Sequence, residues 1–366
     1  MTQEQVSGRY DVVVVGGGPA GLSGAVALAR SRRSVLVVDA GEPRNASAGH
    51  AHGYLGREGV APAQLLADGR AELAGYGGQV LAGRVAAVTP PRARPAGGAG
   101  PAGPDPDGGF LVALEDGRRV LARRLLVATG LTDELPAVPG LAARWGRDVL
   151  HCPYCHGWEV RDRSVGVLAT FAAGVHQAQL FRQLTPDVTL LTHTAPPLST
   201  EQAEQLAARG VRVVDGEVTG LVLEGDRLAG VRLHTGEVVA LQALVVAPFF
   251  RANAALVTAL GLPVTQVRMG EVVVATHVAA DPTGATGVPG VWAAGNVAHP
   301  QAQVVTSAAA GLAAGAAINA DLVAEDVRTA VSTRRAAGRS ASYWSASGAA
   351  WLPARQPVAQ DAPPPA

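Results

Sequence analysis

The feature that most restricts the fold is a run beginning at Tyr10. A strand of valines, DVVVV, leads directly into GGGPAG, an Ala/Leu-rich segment LSGAVALARSR and a second apolar run, SVLVVDA. Gly16, Gly18 and Gly21 stand in GxGxxG spacing, which supplies a tight turn, close approach of backbone to a pyrophosphate, and packing of helix on strand. The amides that open the helix then face phosphate oxygens. Asp39 closes the second strand about twenty residues on, where a carboxylate can accept from a ribose hydroxyl. Strand, loop, helix, strand and acid in that order predict a dinucleotide-binding βαβ unit. A merely structural glycine turn would not need the acid.

The same rhythm restarts after LLVATG, with SVGVLAT, a helix through HQAQLFRQL, VTLLTH, a helix through EQAEQLAARG, VRVVDGEV and a hairpin from LVLEG to GVRLHTGE. The expected fold is α/β, with two Rossmann-like domains, the second inserted in the first. The boundaries read as 1–140 and 249–326 for the first domain, 141–248 for the second, and 327–366 for a disordered tail that ends in a proline run. At 366 residues with 48% apolar side chains, the chain can bury two such cores. VLAGRVAAVT and FLVALEDGRRVLARRLLVATG read as antiparallel strands. The Pro/Gly-rich PPRARPAGGAGPAGPDPDGG between them reads as an exposed, disordered extension.

Acidic and basic residues balance at 30 each, so no whole-chain field draws in nucleic acid or an anionic membrane. The N-terminal stretch, with acid and Arg ahead of a short apolar run, reads as neither signal peptide nor anchor. VVTSAAAGLAAGAAINADLVA, from Val304, is interrupted by Thr, Ser, Asn and Asp and reads as a packed helix. A cytoplasmic location is expected.

The chain has two cysteines, Cys152 and Cys155, three residues apart. In a compartment that keeps thiols reduced, a close pair is a redox centre more often than a structural staple. Zinc is the competing reading, with His151 and His156 as further ligands, but both adjoin a cysteine and would have to bend back around the same ion. No metal is expected. Pro153 fixes one φ angle inside the short ring that a CxxC disulfide closes.

The segment HCPYCHGWE, with LLVATG and GVWAAGNV, resembles the low-molecular-weight thioredoxin reductases from Tyr10 to about Leu322. It is most similar to the gliotoxin- and holomycin-type dithiol oxidases, in which His follows the second cysteine. The resemblance implies FAD as cofactor and a homodimer. It implies flavin contacts at Gly16, Gly18, Pro19, Ala20, Gly21, Asp39, His52, Val85, Ala128, Thr129, Gly130, Gly295, Asn296, Gln303 and Val304, with His50 near the flavin as well. Asn296 stands where the family usually has Asp, and can serve as acceptor or donor. The resemblance further implies that Cys155 faces the flavin and that Cys152 is attacked by the substrate thiol. The thiolate is the competent species, so His156 is the candidate acid/base group and Glu159 a partner that orients it.

A pyridine-nucleotide reductase needs a second phosphate loop after SVGVL. Here Ala169 and Phe171 occupy the first two glycine positions, and a phenyl ring stands where backbone must approach pyrophosphate. Thr192, His193 and Thr194 follow the next strand, where arginines would pair with a 2′-phosphate. The expected reaction is oxidation of a small-molecule dithiol, or of a thioredoxin-like protein, with dioxygen as acceptor. An NADPH-dependent thioredoxin-disulfide reductase, a reductase fed by ferredoxin and a non-catalytic redox-sensing flavoprotein are the competing expectations.

Overall fold

The structure, a computed structural model, describes residues 8–91 and 109–336. The chain divides after Asp321 into two compact units. The described part of the second is the end of the helix Val304–Ala336.

The valines of the first strand, β1 (Arg9–Val15), are buried from Val12 onward, as in a parallel strand covered on both faces. It pairs in parallel with β2 (Val35–Asp39), and β2 with β3 (Gln79–Ala82). The antiparallel strands β4 (Val85–Thr89), β5 (Phe110–Leu114) and β6 (Arg119–Val127) complete the order β3-β2-β1-β6-β5-β4, with β6 parallel to β1. The strand Val291–Ala293 adds to β6 in parallel, with Ala293 opposite Val127. That register brings GVWAAGNV and LLVATG out side by side at the carboxyl ends of the sheet, where open α/β sheets bind ligands. VLAGRVAAVT is therefore not antiparallel throughout: its first half joins the parallel stack as β3, and Gly83 turns the chain before the antiparallel half begins.

The second sheet is parallel, in the order Arg212–Val214, Val188–Leu191, Val165–Leu168, Ala243–Val246, Val149–Leu150. Its strand Val149–Leu150 runs straight into His151 and Cys152. Two short strands, Leu131–Glu134 and Phe249–Ala252, carry the chain out to this sheet and back, paired antiparallel with Thr132 opposite Arg251. Val264–Met269 and Val272–Val278 extend them to a four-stranded sheet that the sequence patterning did not indicate.

The Ala/Gly composition of the helix Val304–Ala336 has a packing cause. A Cβ on Gly311 would meet Ala20 O at 1.9 Å, so only glycine lets this helix cross the helix Pro19–Arg30 at that distance. The helix is long and apolar enough to span a bilayer, but Ala308, Ala314 and Ile318 are buried in the protein core. It also runs to Ala336, so residues 327–336 are helical where a disordered tail was expected: Ala and Arg there are good helix formers, and neither Gly nor Pro interrupts the segment. Residues 337–366, and 92–108 of the Pro/Gly-rich extension, lie outside the described residues.

Candidate active site

A cleft of about 1800 Å³ opens along the carboxyl ends of both parallel sheets. It exceeds the roughly 300–1,000 Å³ of a pocket for one drug-sized ligand. Gly16, Gly18, Pro19, Ala20, Asp39, His52, Val85, Ala128, Thr129, Gly130, Gly295, Asn296, Gln303 and Val304 all line it, as do Cys152, Cys155 and His156. Gly21 does not: a Cβ there would meet Gly16 O at 1.9 Å, so its place is in the packing of helix on strand.

At the glycine loop, Gly16 has φ 107°, and a Cβ on it would lie 2.4 Å from Ala128 O. Gly18 caps the first helix with open space beside it, no side-chain cap and no acid in the first turn. Anionic oxygens therefore meet amides there without a competing carboxylate. Asp39 accepts from Gly17 N at 3.1 Å and from Arg70 Nη2 at 3.1 Å. Those two bonds leave it lone pairs for a ribose hydroxyl.

Asn296 is committed more narrowly than its sequence suggests. Its Nδ2 donates to His299 O at 3.2 Å, Pro300 O at 3.2 Å and Ala302 O at 2.8 Å. The donor half is consumed, and Oδ1 is left as an acceptor for a ribityl hydroxyl. Amide, carboxylate and glycine loop together fit a flavin dinucleotide.

Cys152 and Cys155 form a disulfide with Cα atoms 5.2 Å apart. Cys152 precedes a single helical turn, Pro153–His156, with Pro153 at its first position. The turn is tight against its surroundings, since a Cβ on Gly157 would meet Pro153 O at 2.3 Å and Leu184 Cδ1 at 2.4 Å. Behind the dithiol, His151 Nδ1 donates to Val246 O at 2.8 Å, its ring lies edge-on to Phe250, and Gln177 Nε2 donates to His151 O at 2.8 Å. Burial lowers the pKa of His151 below the ordinary imidazole value.

Burial likewise lowers His156, with Glu159 opposing the shift and His52 adding to it. A neutral imidazole beside the cysteines can take a proton from an incoming thiol at neutral pH. Glu159 does not take the place expected for it. Its Oε1 stands 3.1 Å from His52 Nε2, and the other nitrogen of that ring is 2.6 Å from Glu58 Oε1. The 3₁₀ turn Trp158–Val160 brings Glu159 to the Gly/His-rich loop, so it acts on His156 only through space. Glu58, which nothing in the sequence marked, has its pKa lowered by the hydrogen bond from His52. Sequence reasoning also missed Arg44. It forms a two-pronged pair with Asp133 at 2.8 and 2.7 Å and lies 5.0 Å from the Phe250 ring centre, a long-range juxtaposition with no local pattern.

The loop after Val165–Leu168 is closed on itself. Gly174 N donates to Phe171 O, and Ala195 N to Ala169 O. Ala169, Phe171, Pro196 and Pro197 line a small cavity of about 90 Å³. His193 is turned inward, its Nδ1 accepting from Val218 N at 3.0 Å, and burial lowers its pKa.

Comparison with known proteins agrees with this geometry. Residues 10–311 match the family model for pyridine nucleotide-disulphide oxidoreductases. Thioredoxin reductase sirT of Leptosphaeria maculans is 30% identical over 334 residues, covering 87% of this chain and 96% of the relative. The crystal structure of HlmI superposes with a TM-score of 0.79 at 43% identity, covering 92% of this chain and 99% of that one. An oxidoreductase from Agrobacterium tumefaciens gives a TM-score of 0.76 at 34% identity, covering 86% and 99%. The cofactor of this family is FAD, and the residues of the cradle described above are the ones that would hold it. With the family model spanning most of its length and a CxxC disulfide in the shared cleft, the chain belongs to the pyridine nucleotide-disulphide oxidoreductases, as a thioredoxin reductase-like flavoenzyme acting on sulfur groups.

Proposed function

We propose that the protein oxidises a small-molecule dithiol to its disulfide and passes the electrons to dioxygen. The observation that carries this reading is the loop Ala169–Gly174, where Phe171 and a closed set of backbone bonds stand in place of a glycine phosphate cradle. The inward-turned His193 supports it, since a neutral ring bonded to Val218 N offers no cation to a 2′-phosphate. Electrons that do not arrive from a nicotinamide must come from the dithiol.

In this reading His156 accepts the proton of the first substrate thiol, and the thiolate attacks Cys152 Sγ. The Cys152–Cys155 bond breaks, a substrate–Cys152 disulfide forms, and Cys155 leaves as thiolate. The second substrate thiol attacks the substrate sulfur of that mixed disulfide, releasing the product and Cys152. A flavin held by the glycine loop, Asp39 and Asn296 would supply the acceptor for the two electrons and two protons of the reduced Cys152–Cys155 pair, with dioxygen, reduced to hydrogen peroxide, as the final acceptor. Gln177 and Val246 hold His151, and through it the segment that carries Cys152, against the second sheet. A cytoplasmic homodimer belongs to the same reading, the dimer on family likeness alone and the location on the sequence alone.

Anaerobic mixing of the yellow protein with NADPH, and separately with dithiothreitol, tests the proposal. Bleaching by the dithiol, and peroxide on admitting air, are expected. Rapid bleaching by NADPH would make the protein a reductase. A Cys155→Ser variant that still releases peroxide would sink the cysteine relay.

A further inference from the structure

The cleft beside the dithiol has a second property, its charge. Six ionisable acids and arginines line the cleft, and each is already paired: Asp39 with Arg70, Glu42 with Arg84, Arg44 with Asp133, and Arg251 with Glu134. Of the charges that reach the histidines beside the cysteines, Arg44 and Asp133 are paired with each other and Glu159 with His52, outside the cleft lining. Every cleft-lining residue between Leu150 and Leu180 is neutral or a histidine.

One wall of the cleft that holds the disulfide turn comes from the helix Ala173–Phe181. Ala173, His176, Gln177 and Leu180 line the cleft at i, i+3, i+4 and i+7, which is one helical face. Val175, Ala178 and Phe181 on the other side are buried in the core of the second sheet. The 2.8 Å bond from Gln177 Nε2 to His151 O fixes this face against the residue that precedes Cys152. Phe171 enters the cleft from the loop ahead of the helix.

We propose that this face selects the substrate, and that it selects a neutral dithiol with an apolar body over a charged one. The inference rests on the oxidase reading above and deepens it. A carboxylate or ammonium carried into this wall loses water and meets no opposite charge in return, whereas an uncharged chain loses little. His176, exposed on the cleft face, and Leu180, half-buried one turn on, are the specificity-determining positions.

Dihydrolipoamide and dihydrolipoate have the same dithiol and the same chain and differ in one charge. Initial rates of peroxide release in air-saturated buffer should give the amide a kcat/KM about tenfold above that of the acid, with the difference in KM. His176→Arg places a cation on the wall at an exposed position and should cut the ratio about tenfold by lowering KM for the acid, while His176→Gln keeps the wild-type ratio. Leu180→Arg is the second cation and should act in the same direction. Equal use of the two dithiols by the wild type, or a ratio that neither arginine moves, overturns this proposal and leaves the oxidase reading standing. Turnover of neither dithiol overturns the oxidase reading and the proposal with it.

Discussion

His52 Nε2 stands 3.1 Å from Glu159 Oε1, and this contact ties the Gly/His-rich loop to the turn that carries the dithiol. With Glu58 on its other nitrogen, His52 sits between two acceptors and links the solvent-facing Glu58 to the neighbourhood of His156.

Replacing Glu159 by Ala should separate the structural from the chemical part of this arrangement. Both side chains are partly exposed, so the lost pair should cost less than about 1 kcal/mol in thermal unfolding. His156 loses the carboxylate that opposes its burial, so its pKa falls further and its base form persists to lower pH. The acid limb of flavin reduction by a dithiol, followed anaerobically by stopped flow, should therefore move to lower pH. A shift to higher pH would show that Glu159 does not favour the protonated ring.

Asn296 yields a second expectation. The three carbonyls that accept from its Nδ2 would face a carboxylate oxygen in Asn296→Asp, with no hydrogen between them unless the acid is protonated. The variant should unfold more easily by about 1–3 kcal/mol and release FAD more readily. The folded carboxyl is pushed up relative to the unfolded chain, so the loss should be greater at pH 8 than at pH 5. Tm and flavin fluorescence at the two pH values check it.

The case of Asn296 shows where sequence reasoning reached its limit. GxGxxG, Asp39, LLVATG and the CxxC turn were legible because each task is set by local backbone and nearby residues, and the strand Val291–Ala293 then delivers Gly295 and Asn296 beside Ala128 by simple register. The partners of Asn296 lie within six residues, yet no pattern shows that a loop folds its carbonyls back onto one amide. Glu159 was assigned to His156 on proximity in sequence, and the chain turned it instead to a residue more than a hundred positions away. The strands Leu131–Glu134 and Phe249–Ala252 went unseen because four residues without alternation carry no periodic signal, and their pairing is set by the chain leaving and re-entering the first sheet.

The segment leading to the dithiol is anchored by Arg144 and Asp148, both buried. Arg144 Nε donates to Asp148 Oδ1 at 2.8 Å, and Leu228 N donates to Oδ2 at 3.0 Å. Burial raises the pKa of Asp148, but the hydrogen bonds and charge of Arg144 outweigh it and leave the acid below its usual range. Asp148→Ala leaves the buried Arg144 guanidinium with Asp226 as its one remaining partner among the described residues, to whose side chain and carbonyl it still donates, and should cost about 1–3 kcal/mol in urea unfolding. Arg144→Ala should cost a similar amount, and the double variant less than the sum, because the two side chains share the hydrogen bonds that either single change already breaks.

Stability should also depend on pH through His151. Its folded pKa lies below the ordinary 6.5, because burial outweighs the bond to Val246 O. Above that ordinary value the ring is neutral in both states and costs nothing. As the pH falls through it, the unfolded chain binds a proton that the native protein refuses, so stability drops until the folded group also titrates. His156 and His193, lowered in the same direction, add to the slope. Tm should therefore be lower at pH 5.5 than at pH 7.5. His151→Gln keeps a donor for Val246 O but cannot titrate, so its Tm should fall less over the same interval. An unchanged slope would mean that water reaches His151 and that the wall between the dithiol turn and Phe250 opens in solution.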